Sequence, residues 1–339
     1  MALPPGKIPL NVFREIVLKH VGVKLPEVLM GPAVGEDAAV IKIGEECLIV
    51  SSDPVTGAVE KVGWLALQVN ANDIAVRGVR PRWFISTVLM PENSDKSSLK
   101  KICDQIDRAA KLLEIAIVGG HTEVTPNLSH PIVVGCMFGL AKDGFYVTSA
   151  GAKPGDKIIL TKGIGIEGTA ILATDRRDVV KKSLGVDLAK RAEGFFEKIS
   201  VVEDAMIAVE VGGVVAMHDP TEGGLAGGLH ELADASNTGF RIYEDALIIL
   251  PETSKICQLF EVDPLQLISS GSLLVIAKAE KAKAIVNALS RKDIEASIVG
   301  EVLKKSAGRK IISTDSSARD LPRPQSDHLW AALDKKFSN

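Results

Sequence analysis

The sequence predicts an α/β protein of two domains, and three observations lead to that prediction. The chain has 339 residues, which is about twice a common domain length. Apolar strand patterns alternate with helical patterns along it. The alternation starts again after SAGAKPGDKIILTK (149–162), where small residues and a Pro-Gly turn precede a new apolar strand.

The elements of the first half follow from hydrophobic periodicity. An amphipathic helix is predicted over 8–20, and two short strands over 37–52 are separated by Gly44-Glu45. A helix is predicted from Lys61 to Arg77. The remaining elements are strand RWFISTVLM (82–90), helix 96–114, and strands IAIV (115–118) and IVVGCMFGLA (132–141).

The second half repeats the alternation and ends in a polar tail. The predicted domains therefore span 1–150 and 151–315, and a tail follows over 316–339 with a short helix, DHLWAALDKKF. The predicted elements of this half are helices near 167–175, 186–197 and 203–211, strand VVAM, helix 223–236, strands near 239–249 and 272–278, helix 280–292 and closing strands.

Composition narrows the class of protein. Apolar residues make up 46% and charged residues 24%, with a net charge of −3, which argues against a general binder of nucleic acid or anionic membrane. No apolar run approaches the roughly 18 residues of a membrane span, and MALPPGKIPLNVFREI lacks a signal-peptide pattern, so a cytoplasmic location is expected. The histidines form no H-x-x-x-H pair, and the scattered cysteines argue against zinc or iron–sulfur sites; they are Cys47, Cys103, Cys136 and Cys257.

Acidic and glycine-rich turns recur at the ends of apolar strands. Asp37 leads into a strand in GPAVGEDAAVI, Asp53 follows a strand in LIVSSDPVTG, and Asp219 follows one in VVAMHDPTEGG. A single such Asp is usually a turn or cap residue. Carboxylates are nevertheless the natural protein ligands of Mg²⁺, and glycines before a helix let backbone N–H groups approach phosphate. Their joint occurrence predicts a nucleotide–metal site.

The predicted helix LQVNANDIAVRG (67–78) carries polar residues on one face. Asn70, Asp73 and Arg77 fall together there. Arg77 could be an ion-pair partner of Asp73 or a phosphate contact, and both interpretations stay open. The opposite, apolar face consists of Leu67, Ala71, Ile74 and Ala75.

Two familiar nucleotide motifs do not explain this pattern. The chain has no G-x-x-x-x-G-K-[ST] sequence, so it is not a P-loop protein. A G-x-G-x-x-G is present at Gly163, Gly165 and Gly168, but a charged helical stretch follows where a dinucleotide fold needs a second strand. A tight strand-to-helix turn is therefore favoured.

Taken together, these segments resemble the aminoimidazole ribonucleotide synthetase (PurM-like) superfamily. The likeness covers nearly the whole chain and is greatest to the hydrogenase expression/formation protein HypE and archaeal HypE-like AIR synthase-related proteins. It implies an ATP-binding N-terminal domain that forms an intersubunit β-barrel in a homodimer, and a C-terminal α+β domain. The segments are, in order, GEDAAVI, NANDIAVRGVRP, GGHTEVTP, HDPTEGGLAGGLHELADAS and SSGSLLVIA.

The resemblance also implies ATP and Mg²⁺ as cofactors, with ATP in a cleft near the dimer interface. Either Asp73 or His121 could act as a base, although structural capping explains both residues equally well. The implied site residues are Asp37, Asp53, Asp73 and Asp219 for metal or phosphate, Asn70 and Asn72 in assistance, Gly119, Gly120, His121 and Thr122 as a nucleotide-contacting turn, and Gly223 and Gly224 in the second domain.

The implied activity is transfer of the ATP γ-phosphoryl group to a carbonyl, amide or similar oxygen. A HypE-like maturation role leads, with a small-molecule or protein-borne acceptor and a maturation-protein partner. HypE proper ends in Pro-Arg-x-Cys, whereas this sequence ends DKKFSN and its last cysteine is Cys257. We therefore do not expect it to carry a carbamoyl group on a terminal cysteine.

The chain also departs from two other members of the superfamily, and two alternatives to a HypE-like role stay open. Selenophosphate synthetases need a reactive cysteine or selenocysteine near the N-terminus, and here the first cysteine is Cys47. Thiamine-monophosphate kinases usually have GGDT and SDG where this chain has GGHT and HDPTEGG. The alternatives are a small-molecule kinase resembling thiamine-monophosphate kinase and a non-catalytic ATP-binding partner subunit.

Overall fold

The computed structural model describes Leu3 and residues 6–337. Residues 1, 2, 4, 5, 338 and 339 lie outside the described residues, so the ends of the predicted N-terminal domain and tail do too. The chain divides into two compact units. The small unit comprises Leu25–Gly31 and Asp37–Tyr146, and the large unit comprises Met1–Lys24, Pro32–Glu36 and Val147–Asn339. Compactness does not measure independent folding, so the domain bounds stay predictions.

The first helix of the large unit, α1 (Leu10–Glu15), is shorter than the sequence predicts. A short 3-10 turn over Val17–Lys19 replaces its second half. None of the six residues of α1 is buried, so packing does not extend the helix beyond its weak local propensity.

The small unit is a seven-stranded sheet with two helices. Its strand order is β1-β2-β3-β7-β5-β6, and β4 also pairs with β7. Only β5 and β6 are parallel; the other pairs are antiparallel. Helix α2 packs against β7 and α3. The elements are β1 (Val28–Met30), β2 (Ala39–Ile43), β3 (Glu46–Ser51), β4 (Pro54–Val55), α2 (Val62–Ala75), β5 (Pro81–Pro91), α3 (Lys96–Leu112), β6 (Ala116–Thr125) and β7 (Ile132–Ala141).

Helix α2 is buried along its entire length. The sequence predicts one apolar and one polar face, but all fourteen residues are buried. A helix with polar side chains can be buried this way only when those side chains find partners. Asn70 and Asp73 find such partners in Asp53 and Ser51.

The large unit contains a second seven-stranded sheet, in the order β14-β13-β10-β12-β8-β11-β9. Apolar side chains of α8 and of this sheet form one buried cluster. The elements are β8 (Lys157–Thr161), α4 (Ile166–Asp175), α5 (Arg177–Leu184), α6 (Val186–Glu193), α7 (Val202–Val211), β9 (Val214–His218), α8 (Gly224–Ala235), β10 (Gly239–Tyr243), α9 (Pro251–Phe260), β11 (Leu274–Ala277), α10 (Ala279–Ser290), β12 (Ala296–Leu303), β13 (Arg309–Ile312), β14 (Ala318–Asp320) and α11 (His328–Asp334).

Helix α9 has no counterpart among the predicted elements. Pro251 occupies its first turn, a position where proline favours a helix start, and this signal was available in the sequence.

The G-x-G-x-x-G segment is a turn between β8 and α4. Strand β8 pairs antiparallel with both neighbours, β11 and β12. A dinucleotide-binding unit requires a parallel strand beside the first one. The topology therefore supports the tight-turn interpretation. Over residues 3 and 6–337, no helix combines the length and apolar character needed to cross a bilayer.

We expect Gly135→Ala to destabilise the small unit. A Cβ at Gly135 would lie 2.8 Å from Phe84 Cε2 and 2.6 Å from Asn70 Cγ. Overpacking of this kind costs about 1–3 kcal/mol. Hydrogen exchange of α2 and β7 in urea should show faster exchange in the variant. In Gly119→Ala, where a Cβ meets nothing within 4 Å, exchange should stay as in the native protein; equal protection in both variants would contradict the packing.

Candidate functional site

The polar face of α2 contacts the residues that flank β2 and β3. The Asn70 amide accepts from Asp53 N at 2.9 Å and donates to Asp53 O at 3.1 Å. The Ser51 hydroxyl donates to the Asp73 carboxylate. One turn further, Arg77 Nη2 lies 2.9 Å from Asp37 Oδ2. The helix therefore fixes both strand ends that carry the predicted acidic residues.

The structure assigns Arg77 an ion pair with Asp37. Arg77 is fully buried, and the Asp37 side chain is 13% exposed. A buried guanidinium is strongly unfavourable unless it is paired, so this contact fixes both side chains. The ion-pair interpretation of Arg77 is confirmed, with Asp37 as a partner.

The predicted site residues of the small unit differ in accessibility. Asp73, Asn70 and Asn72 are buried, whereas Asp53 is exposed. The Asn70 amide serves the backbone of Asp53 and also donates to Ala66 O. Asn70 is thus a scaffold for the Asp53 carboxylate, which faces solvent.

The prediction that Gly119, Gly120, His121 and Thr122 form a turn is wrong. They lie inside β6, which continues to Thr125 and pairs with β5 in parallel. The strand passes the two glycines because a bulge at Val118, between the pairs Phe84–Ile117 and Ile85–Gly119, absorbs the irregularity.

Strand β6 is the edge of the sheet, and β5 and β7 lie between it and β3. His121 Nε2 lies 3.1 Å from Glu123 Oε2, and both side chains are exposed. Hydrogen bonds from Thr125 and His121 lower the pKa of Glu123. Within one chain the sheet therefore separates His121 from the strand end that carries Asp53.

In the large unit, β9 leads into a glycine-rich start of α8. Gly223 and Gly224 both have positive φ, 79° and 58°, which glycine adopts without the strain other residues incur. A Cβ on Gly224 would lie 2.5 Å from Leu267 O. Gly223 N donates to Asp327 Oδ2 at 2.6 Å and Gly224 N to Thr221 O at 2.9 Å. Both N–H groups are thus engaged within the unit.

The predicted metal residue Asp219 is buried directly after β9. The preceding His218 is also buried, and its Nε2 lies 2.8 Å from Glu231 Oε2. Lys7 Nζ contacts the other oxygen of Glu231 at 2.8 Å, and Lys7 N donates to Glu222. Burial alone would raise the pKa of Glu231, but the Lys7 ammonium and the His218 hydrogen bond outweigh burial and lower it.

Glu167 adds a buried carboxyl group near the start of α8. It is 5% exposed and lies in the first turn of α4. Burial raises its pKa to about 7, and the negative charges of Asp327, Glu222 and Asp219 act in the same direction. Glu167 is not among the predicted site residues because an acidic residue in a first helical turn is ordinary.

Comparison with known families decides the relationship. Residues 35–141 match the N-terminal domain and residues 153–312 the C-terminal domain of the AIR synthase related proteins. The chain belongs to the AIR synthase related family. The resemblance inferred from the sequence is thereby confirmed, as is a two-domain α/β (α+β) fold of the PurM-like type.

Relatives of this AIR synthase related protein carry hydrogenase-maturation names. A Methanocaldococcus jannaschii protein, provisionally named for hydrogenase expression and formation, is 28% identical over 96% of both chains. The carbamoyl dehydratase HypE of Cupriavidus necator is 31% identical over 72% of this chain and 68% of its own.

Solved structures show the same fold. The HypE of a HypE–HypF complex superimposes with a TM-score of 0.77 at 23% identity, over 92% of this chain and 99% of the other. A hydrogenase maturation protein HypE in complex with ATP gives 0.74 at 22% identity, over 96% and 98%.

We expect Glu167→Gln to stabilise the large unit at pH 8. The folded-state pKa of Glu167 is raised from 4.5 to about 7, so native stability falls as pH rises through this interval. Glutamine mimics the neutral acid and removes a cost on the order of 3 kcal/mol. Hydrogen exchange of α4 in urea should show the gain at pH 8 and none below pH 4.5.

The control is Glu301→Gln in the same unit. Hydrogen bonds from Arg241 and Lys157 lower the pKa of Glu301, so this change should destabilise at pH 8. A loss of stability in Glu167→Gln at pH 8 would contradict the assignment.

Proposed function

We propose that this AIR synthase related protein is an ATP- and Mg²⁺-dependent enzyme that transfers the γ-phosphoryl group to a carbonyl or amide oxygen. The observation that carries the proposal is the acidic set on and around α2. Arg77 pairs with Asp37, Ser51 donates to Asp73, and Asn70 holds the backbone of Asp53. A HypE-like role in hydrogenase maturation is favoured because relatives that match most of the chain are named carbamoyl dehydratases.

The carboxylates of the small unit fit a magnesium ion. Mg²⁺ takes hard oxygen ligands, commonly one or two carboxylates with substrate phosphates and water. Asp53 is exposed, and Asp37 and Asp73 are held by Arg77 and Ser51. We propose these three as metal or phosphate-network residues of the small unit, and Asp219 as one of the large unit. A bound Mg²⁺ would neutralise charge on the transferred phosphoryl group.

The remaining predicted residues have three different proposed roles. Asn70 and Asn72 are buried, so we propose that they support the carboxylates. We propose that Gly223 and Gly224 shape the backbone beside the ligand, since side chains there would meet Pro324 and Leu267 and their N–H groups are engaged. We retain His121 as the candidate base because its imidazole is exposed and held by Glu123, with Gly119, Gly120 and Thr122 beside it on the strand.

The proposed reaction needs no oxidant or reductant. An amide oxygen attacks the γ-phosphorus, the bond to the β-phosphate oxygen breaks, and ADP leaves. The phosphorylated oxygen is then a leaving group. Loss of phosphate and of the nitrogen-bound protons from a primary amide gives a nitrile, which is the net dehydration named for the HypE relatives. Such transfer requires mainly positioning and charge neutralisation.

The first test is the nucleotide product. Purified protein with ATP and Mg²⁺ should form ADP, slowly alone and faster with a carbamoylated cysteine peptide. AMP would instead indicate selenophosphate-synthetase-like chemistry. Formation of a phosphorylated small molecule without dehydration would favour the kinase alternative, and binding without turnover under all conditions would favour the non-catalytic one.

We expect Asp53→Asn to lower Mg²⁺-dependent ATP turnover by about 100-fold while leaving the fold intact, because the scaffold uses the Asp53 backbone. Asp219→Asn should act likewise. The matched control is Asp95→Asn, an exposed helix cap of α3 in the small unit. Turnover that survives in Asp53→Asn, with the control also active, would contradict the metal assignment.

We further propose a homodimer formed through β6. All but one of its ten residues are exposed. Ile117 and Val124 pair with Phe84 and Met90, whose side chains are buried, so the apolar face of the sheet continues past its last strand. An exposed apolar edge strand is ordinarily covered, and a second copy matches the intersubunit barrel that the family resemblance implies. A HypF-like maturation protein is the proposed partner.

The double variant Ile117→Lys, Val124→Lys should be monomeric. Two charges on an edge strand disfavour strand pairing. Light scattering at micromolar protein should give twice 36.0 kDa for the native chain and the single mass for the variant. Leu112→Lys, an exposed apolar residue on α3, should leave the dimer unchanged. A native monomer would refute the dimer.

A further inference from the structure

The C-terminal tail contacts the glycine-rich start of α8 through Asp327. Its Oδ2 accepts from Gly223 N at 2.6 Å and its Oδ1 from Leu329 N at 2.7 Å. Pro324 packs on the same glycine, since a Cβ there would lie 3.3 Å from Pro324 Cβ. One carboxylate therefore joins the tail to the glycine-rich start of α8.

Capping of α11 explains only part of this arrangement. A serine at the N-cap would serve Leu329 N equally well. The second oxygen of Asp327 accepts a hydrogen bond from Gly223 N, which is 104 residues away in the sequence. This carboxylate is 6% exposed, and a buried acidic group is unfavourable without several donors. A structural cap alone would not need the second oxygen.

The charges near Asp327 make its position more demanding. The negative charge of Glu222, just before α8, raises the pKa of Asp327. The charge of Asp327 in turn raises the pKa of Glu167 on α4. The tail's own His328 and Arg323 are engaged with other segments. Burial raises the pKa of Asp327 to about 6 and Glu222 adds to that rise, whereas the backbone N–H groups of Leu329 and Gly223 oppose it.

We propose that Asp327 is a positioning residue for nucleotide binding, which it serves by holding Gly223 and Gly224 in their left-handed conformation. The inference rests on the proposed ATP-dependent function. Gly223 N–H is fixed by the carboxylate, and the two glycines place the backbone after Asp219 and Glu222. Loss of the Gly223 bond would let this segment adopt other conformations, of which only some leave space for a phosphate-bearing ligand.

The test compares Asp327→Ser and Asp327→Asn with the native chain. Serine keeps the cap of α11 but is too short to serve both segments, and asparagine turns one acceptor into a donor. The dissociation constant of a non-hydrolysable ATP analogue with Mg²⁺ should rise about tenfold in both at pH 8. Asp95→Ser, the same change at the cap of α3, should bind as the native chain does.

A pH series separates this role from a merely structural one. Protonation of Asp327 makes the native residue resemble asparagine, so the ratio of the Asp327→Asn to the native dissociation constant should fall towards one between pH 8 and pH 5. Titration of the nucleotide and of Mg²⁺ binding affects both proteins and cancels in the ratio. Hydrogen exchange over 222–225 should be faster in the variants at pH 8.

The outcomes distinguish the two proposals. If the native chain binds the analogue and Asp327→Ser binds equally well, the positioning role is overturned and the proposed function stands. A ratio that does not change with pH also overturns it. If the native chain does not bind the analogue at any concentration, the proposed function fails and this inference fails with it.

Discussion

The burial of α2 is the constraint on which the small unit depends. A helix enclosed on every side cannot leave its aspartate and asparagine unpaired, nor the buried arginine just after it, because each would cost several kcal/mol. Arg77 is satisfied by Asp37, Asp73 by Ser51 and Asn70 by the backbone of Asp53. The contacts that make the helix compatible with the core are thus the same ones that fix the acidic residues at the strand ends, so fold stability and site geometry cannot be altered separately here.

In the large unit, contacts from Lys7 and from the C-terminal tail hold the glycine-rich start of α8 and the carboxylates beside it. Lys7 joins Glu231 and Glu222, and Asp327 joins Gly223, all on or beside α8. The helix carries few charges of its own that could hold its glycine-rich start, and glycine adds backbone entropy to the unfolded state. External anchors are therefore needed to select one conformation. They come from segments more than 100 residues away in the sequence.

This difference explains what could be predicted from the sequence. The strands around Gly44 and the polar face of α2 follow from local periodicity, and the family follows from ordered motifs. Glu167 and Asp327 lie in segments whose local patterns are those of an ordinary helix start and a helix cap, and Lys7 lies in a proline-rich N-terminal segment. Their partners are set by tertiary packing, which no spacing rule encodes. The GGHT segment was misassigned for a related reason, since paired glycines usually mark a turn and here a bulge carries the strand through them.

The engagement of the glycine N–H groups changes what the glycine-rich start of α8 can contribute. A phosphate-binding loop of the usual kind presents free backbone donors, whereas Gly223 and Gly224 donate to Asp327 and Thr221. Pro324 and Leu267 fill the space where side chains on these glycines would lie, so the two glycines contribute the course of the backbone after Asp219 and Glu222. Charge recognition falls to the carboxylates and their proposed metal ion. On our proposal, nucleotide affinity then depends on how firmly the Asp327 carboxylate holds the backbone of Gly223.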